Sequence, residues 1–281
     1  MNYKIIVDSC GELTHRMKNS GVYETASLSM EVDGDVIVDD ESFDQADFLR
    51  RVAASPECPK SSCPSPEKYM ELYSGSEERV YAVTLSSELS GSYNSAELGR
   101  KLWIEEHGES SKQIYVFNSR SASVGETLIG LKIQECEELG LGFEETVSTV
   151  EDYIESQHTY FVLENLDTLR KNGRLTGIKS FVASALNIKP VMGSTPEGTI
   201  CQLGQARGMK RALVKMVDQI VREGKATKDK ILAISHCNCP ERAREVERML
   251  LDKIHVKDSF IVETAGISTM YANDGGIIVV L

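Results

Sequence analysis

Three stretches of the chain set small hydroxyl side chains beside proline or glycine, close to where a helix is expected to begin. They read KSSCPSP (residues 60–66), TLSSELSGSYNSA (84–96) and FNSRSASVGETL (117–128). In the first, Pro66 suits the opening turn of a helix, where a missing N–H costs nothing, and Ser65 stands at the N-cap. Capping accounts for one serine and leaves Ser61, Ser62 and Cys63 side by side without a reason. The stretch is too polar and stiff for a core strand or helix. In the second, a strand ends near Leu85 and a helix starts near Ser92, just after Ser90 and Gly91. Glycine lets the backbone approach a ligand there, and the unpaired N–H groups of a helix start attract an anion. The third repeats the arrangement around Ser119. Such donors suit a carboxylate or a phosphate. Either the three loops face one crevice outside the carboxyl ends of a parallel sheet, or they are three independent caps, and spacing alone leaves both open.

Two arginines stand at similar punctuation. Arg174 follows the turn pair Asn172-Gly173 in LRKNGRLTG (169–177), and Arg207 precedes a helix that continues with Lys210 and Arg211 in GQARGMKRAL (204–213). An arginine fixed by a turn bridges a carboxylate with two hydrogen bonds or serves a protein partner; the plainer readings are a solvated turn and a solvated helix start.

Catalytic signatures are missing from these loops. A serine nucleophile needs a base and an orienting group, yet none of His15, His107, His158, His236 and His255 lies in a catalytic motif. There is no G-x-S-x-G elbow, no dinucleotide fingerprint after residues 5–7 and no Walker loop. The best metal candidate, His236 with Cys237 and Cys239, has a C-x-C spacing tighter than a structural zinc knuckle and lacks a second clustered pair. It reads instead as a strand end whose small thiols pack inside. No sequence neighbour would lower the pKa of the Cys63 thiol.

Stepping from loops to elements, apolar strand-like runs occur at 3–7, 80–85, 114–117, 160–163, 231–234 and 260–262. Helical spacing occupies 42–54, 66–73, 92–105, 125–139, 144–157, 208–223 and 240–253. Alternation of this kind implies an α/β chain with a largely parallel sheet. A change of texture before Tyr160 suggests two domains, 1–157 and 158–281, and no internal repeat is visible. With 281 residues, 41% of them hydrophobic, the chain can bury a substantial core. Its formal charge of -12 is the wrong sign for nonspecific nucleic-acid binding. No apolar run approaches the roughly 18 residues of a membrane span, so integral membrane association is not expected. Seven cysteines without an export signal point to free thiols in a reducing cytoplasm.

At these same stretches the sequence resembles the DegV family of bacterial fatty-acid-binding proteins. IIVDSCGEL resembles the family's first strand, KSSCPSP its Thr-Ser-Gln-Pro-Ser loop and LSSELSGSYNSA its most distinctive motif. FNSRSASVG, LDTLRKNGRLTG, IKPV and QARGMKRAL follow in order, so the likeness covers nearly the whole chain. The resemblance implies a two-domain α/β fold, with a largely parallel sheet in the N-terminal domain, a second α/β domain and a lipid site between them. A long-chain fatty acid such as palmitate would lie in an apolar tunnel, with no cofactor, no metal and no catalytic residue. Its carboxylate would be held by Ser61, Ser62, Ser90, Gly91 and Ser92, with Ser119, Arg174 and Arg207 behind them or at a partner contact. In some bacteria such proteins present the acid to a fatty-acid kinase for acyl-phosphate formation.

Carried over residue by residue, the family's carboxylate-binding Thr falls on Ser61, the serine of its Leu-Ser-Gly-Thr motif on Ser90, the arginine of its Gly-Arg-Ile-Ser motif on Arg174 and that of its Ala-Arg segment on Arg207. The chain departs from the pattern at Ser61, at Cys63 in place of Gln and at Asn118 in place of Asp. The largest departure puts Met270 at the position of a family His near the carboxylate, with Ala272, Asn273 and Asp274 over a Gly-rich turn. The alternative is a small-molecule enzyme built on the same cleft, which requires a base near Ser61 or Ser90.

Overall fold

The computed structural model describes residues 2–108, 112–175, 187–224 and 227–281. Thr176 and Gly177 of the LRKNGRLTG stretch lie outside the described residues. From the N-terminus run β1 (Tyr3–Asp8), α1 (His15–Lys18), β2 (Tyr23–Ala26), β3 (Ser29–Val32), β4 (Asp35–Val38), α2 (Gln45–Ala54), β5 (Lys60–Ser62) and α3 (Pro66–Tyr73). Then come β6 (Arg79–Thr84), α4 (Ser92–His107), β7 (Gln113–Asn118), α5 (Val124–Glu138) and α6 (Phe143–Ser156). The remainder is β8 (Thr159–Val162), α7 (Asp167–Lys171), β9 (Ile188–Ser194), β10 (Ile200–Arg207), α8 (Met209–Glu223), β11 (Ile231–His236), α9 (Pro240–Leu251), β12 (Asp258–Glu263), α10 (Gly266–Ala272) and β13 (Ile277–Val280).

The chain forms two α/β domains. In the first, β2-β1-β6-β7 make a fully parallel sheet. Successive strand side chains point to opposite faces, so Ile5 and Val7 join Tyr81, Val83 and Phe117 against α5 and α6. Ile6 joins Val80, Ala82 and Ile114 on the other face, with Tyr69 and Tyr73 of α3. Burial on both faces is why these strands read as continuous apolar runs in the sequence.

The second domain's sheet is mixed, in the order β10-β9-β8-β13-β11-β12, and its only parallel pair among the described residues is β11 with β12. The sequence suggested a more parallel arrangement. Two elements account for the difference: β9 and β10 form an antiparallel hairpin, and β13 returns antiparallel between β8 and β11. Pro190 and the irregular register around Gly204 interrupt the alternation that would have announced the hairpin. One face of this sheet packs Tyr160, Val162, Leu232 and Ile277 against α8 and α9. The other turns toward the first domain, where Val124 and Leu128 of α5 meet Ala233 and Val280.

A third, small antiparallel sheet, β4-β3-β5, sits at the edge of the first domain. The KSSCPSP stretch enters it: Lys60–Ser62 pair with β3, and Ser61 stands opposite Met30. It is an edge strand, which its polarity permits, because one side faces water. Ser65 then caps α3 by accepting from the Lys68 N–H, with Pro66 in the first turn.

Candidate functional site

The carboxyl ends of β1, β6 and β7 point at the inward face of the second sheet, and a cavity lies between them. From the first domain it is lined by Cys10, Leu85, Leu89 and the 120–123 segment; from the second by Thr159, Phe161, Leu163, Gly193, Ser194 and Ile278, with Ile267 and Tyr271 of α10. The cavity is small, about 100 Å³. Most of its polar neighbours bond one another, so what faces the space is hydrocarbon. Ser121 and Thr159 hydroxyls, for example, pair at 2.6 Å.

At the Leu163 and Leu169 side the lining includes Arg174 and Tyr271. There the Ser61 hydroxyl lies 2.8 Å from the Tyr271 phenol, and the Arg174 guanidinium sits over the Tyr271 ring at 5.5 Å. Arg174 is held in place by its own turn. Gly173 takes φ +76, Arg174 N–H donates to the Leu169 carbonyl, and the guanidinium donates to the carbonyls of Asn172 (2.7 Å) and Leu89 (3.1 Å). Burial raises the Tyr271 phenol above its ordinary pKa, with Ser61 and Arg174 opposing. The phenol is therefore a neutral O–H donor.

The second serine-rich loop joins the same corner. Gly91 is the N-cap of α4, with no side-chain cap bond, and a Cβ there would stand 3.1 Å from the Cys63 Sγ. Glycine thus lets the start of α4 meet the 60–66 stretch. Ser90 Oγ lies 3.2 Å from Ser92 Oγ and accepts the Ser92 N–H at 3.2 Å. Neither Ser61 nor Ser90 is hydrogen-bonded to a histidine, carboxylate or amine among the described residues.

Beneath the apolar wall lies a second polar group of quite different character. Asp8 gathers two strand ends, accepting from Leu85 N–H at 2.9 Å and Cys10 N–H at 3.1 Å. Glu12 accepts from Ser123 at 2.8 Å, and Ser123 in turn pairs at 2.6 Å with Ser235 of the other domain. Both carboxyl oxygens of Glu126 are buried without a hydrogen-bond partner. Ser123 holds φ +59 and ψ -134, a conformation rare outside glycine, so the loop is strained where it crosses the seam. Burial pushes Asp8 up to about 6 and Glu12 up to about 7, against the hydrogen bonds they accept. Glu126 is raised well above the usual carboxylate range, first by burial and then by Asp8 beside it.

The residues singled out from the sequence therefore divide. Arg174 lines the cavity, Ser61 bonds the lining Tyr271, and Ser90 and Gly91 follow the lining Leu89 without lining the space themselves. Ser92 is buried under Ser90, and Ser62 is exposed. Ser119 is buried and donates to the Ser121 carbonyl rather than lining the space. Arg207 is exposed at the end of the edge strand β10, away from the cavity, with Lys210 and Arg211 also exposed. Met270 packs among Cys10, Leu28, Met30 and Phe48 and does not line the cavity. The next residue, Tyr271, reaches the site instead. Asp39 positions it by accepting from the Gly266 and Ile267 N–H groups at the start of α10 (2.7 and 2.9 Å). The only sequence signal for Tyr271 was its place beside Met270. At the His236 strand end, Cys237 is fully buried and Cys239 N–H donates to the His236 ring. All seven cysteines are free thiols. No helix among the described residues is long and apolar enough to cross a membrane.

Comparison with known proteins agrees with this fold. The family model described as "Uncharacterised protein, DegV family" matches residues 2–280. A DegV-family protein of Ruminococcus gnavus, whose crystal structure contains vaccenic acid, is 64% identical, with a TM-score of 0.97 and complete coverage of both chains. The Fatty Acid Kinase (Fak) B3 protein of Streptococcus pneumoniae, solved loaded with linoleic acid, is 31% identical, with a TM-score of 0.90 over 100% of this chain and 99% of that one. A DegV domain-containing protein of Streptococcus pneumoniae is 32% identical over 281 residues, 99% of this chain and 98% of its own. On the model match, the identity and the shared two-domain architecture, the chain belongs to the DegV family.

Proposed function

We propose that the chain, with 1–157 and 158–281 as its two domains, binds one long-chain fatty acid in the seam and carries it rather than transforming it. A single observation carries this reading: a hydrocarbon-faced cavity is lined at one side by Tyr271 and Arg174, with the Ser61 hydroxyl bonded to the Tyr271 phenol, two hydroxyls and a fixed cation. An acyl chain is matched by the first part and a carboxylate by the second. Ser61 and Tyr271 bond each other at 2.8 Å, and both can turn their O–H groups onto a carboxylate oxygen placed between them. Ser90 and the uncapped start of α4 add donors at the same corner. Among the described residues Ser61 and Ser90 have no bonded base, which disfavours hydrolytic or transfer chemistry in this cleft. The vaccenic and linoleic acids in the two relatives support an acid of about this length.

Delivery to a fatty-acid kinase is the further step of the reading, supported by the likeness to the kinase-associated B3 protein. The exposed Arg207, Lys210 and Arg211 are the basic residues placed for that contact. The test begins with native mass spectrometry of protein purified without added lipid, which should show an adduct of acyl-chain mass. Delipidated protein should prefer a C16 or C18 acid over its methyl ester in calorimetry. Failure to take up any C14 to C18 acid would sink the proposal. Mixing with a fatty-acid kinase and ATP should yield acyl phosphate; binding without that product would remove the delivery step alone.

A further inference from the structure

An acyl tunnel needs a far wall as well as a mouth, and here the wall is built across both domains. Thr159 and Phe161 of β8 and Leu163 just after it all line the cavity, so this segment runs alongside it with successive inward residues at strand spacing. Leu163 lies toward Leu169 and Arg174, the mouth. Thr159 lies at the other end, paired with Ser121, and its N–H reaches Ser194 Oγ at 3.4 Å.

Beside Thr159 sits the tip of the β9–β10 hairpin. The turn is closed on itself: Thr195 N–H donates to the Thr199 carbonyl at 2.9 Å, Gly198 N–H to the Thr195 carbonyl at 3.0 Å, and the two threonine hydroxyls pair at 2.8 Å. The tip is then pinned to the first domain. Ser86 Oγ donates to the Gly198 carbonyl at 2.8 Å, and Ser86 N–H donates to the Ser121 carbonyl at 2.8 Å. Gly198 is buried at φ +91, and a Cβ there would stand 2.3 Å from Ser86 Oγ and 2.8 Å from the Arg120 Cα. The tip seats only because this position has no side chain.

We propose that this latch, Ser86 on Gly198 with the Ser121–Thr159 pair beside it, is the stop that sets the length of acyl chain the cavity accepts. The proposal rests on the fatty-acid reading and adds a specificity determinant at the end away from the carboxylate. Burying one more methylene is worth about fourfold in affinity. Affinity should therefore climb with chain length until the terminal methyl meets the stop, then level or fall.

The test measures saturated acids from C12 to C22 against delipidated full-length wild type, Ser86→Ala, Gly198→Ala and, as a control at the mouth, Ser61→Ala. Wild type should show a break at one length. Ser86→Ala and Gly198→Ala should move it outward, raising the affinity for the acid two methylenes past the break, relative to the acid at the break, by about tenfold. Ser61→Ala should lower all lengths together and leave the break where it was. An even climb through C22 in wild type overturns the stop, as does an unmoved break in a Ser86→Ala protein that binds C18. If Gly198→Ala does not fold, Ser86→Ala decides. Wild type that binds no acid at any length overturns the fatty-acid reading itself, a result distinct from binding with an unmoved break.

Discussion

Two polar groups flank the same hydrocarbon cavity, and they solve the problem of burial in opposite ways. At the mouth, the Ser61 and Tyr271 hydroxyls pair and the Arg174 guanidinium lies over the Tyr271 ring, so a positive charge is already in place. At the seam below β1, Asp8, Glu12 and Glu126 are all buried, and none makes an ion pair among the described residues. A buried charge without a partner is far more costly than a buried hydroxyl. The mouth is suited to an anion, whereas the seam holds its protons to higher pH than free carboxyls do. The difference teaches that polarity beside a lipid cavity is not by itself a head-group site; the sign of the surrounding field decides.

The largest expected effect tests the seam. Folding raises Asp8 from 3.8 to about 6 and Glu12 from 4.5 to about 7. The unfolded chain ionises these groups first as pH rises, so their contribution to stability is fully present below about pH 4. It is lost as pH climbs through the folded values, by about 3 kcal/mol for each carboxyl. Urea unfolding at pH 5 and pH 8 should show Glu12→Gln losing less stability across that interval than wild type. Identical pH dependence would mean that Glu12 is ionised in the fold, and the contrast with the mouth would collapse.

A smaller effect belongs to the mouth. Removing one charge-assisted hydrogen bond costs about 1.5–3 kcal/mol, so Ser61→Ala and Tyr271→Phe should each weaken binding of a C18 acid by roughly tenfold to a hundredfold. The double variant should lose less than the sum, because the two hydroxyls serve one carboxylate. Acid-over-ester preference should largely vanish with it. Undiminished preference would move the head group elsewhere, with Arg174→Gln the next variant to measure.

The smallest effect comes from the cap a few residues on. Ser65→Ala should cost about 1 kcal/mol in thermal or urea melts and leave acid affinity unchanged. A fall in affinity comparable with Ser61→Ala would mean that the whole 60–66 stretch acts as one unit, and that cap and ligand contact are not separable there.

How much of this was legible in the sequence depends on how far each feature is local. Doubly buried strands such as β1 and β6 are continuous apolar runs, and a helix such as α3 carries its own cap, so both could be read directly. Short edge strands could not. Lys60–Ser62 has no apolar alternation, and it is a strand only because β3 lies beside it. The β9–β10 hairpin was hidden by Pro190 and Gly204, and with it the mixed character of the second sheet. At the site, Ser61 and Arg174 were marked by odd local chemistry, serines beyond the needs of capping and an arginine behind a tight turn. Tyr271 carried no such mark, because what brings it to Ser61 is Asp39 bonding the first turn of α10 from 227 residues away. Ser119 was chosen for its place in a pattern, yet its hydroxyl bonds its own loop. Sequence marks where a loop can offer donors but not which of them turn inward.

The narrow cavity between the two sheets has a further meaning for the molecule as a whole. It interrupts the hydrophobic interior at the place where the two halves meet, so an acyl chain lying there would be core material supplied from outside. Any ligand that binds only the folded form adds to its stability by mass action, about 2.7 kcal/mol at a hundredfold excess over Kd. The two halves would then be glued by their cargo. On that reading the molecule would be firmer and slower to digest where free acid is plentiful than where it is scarce.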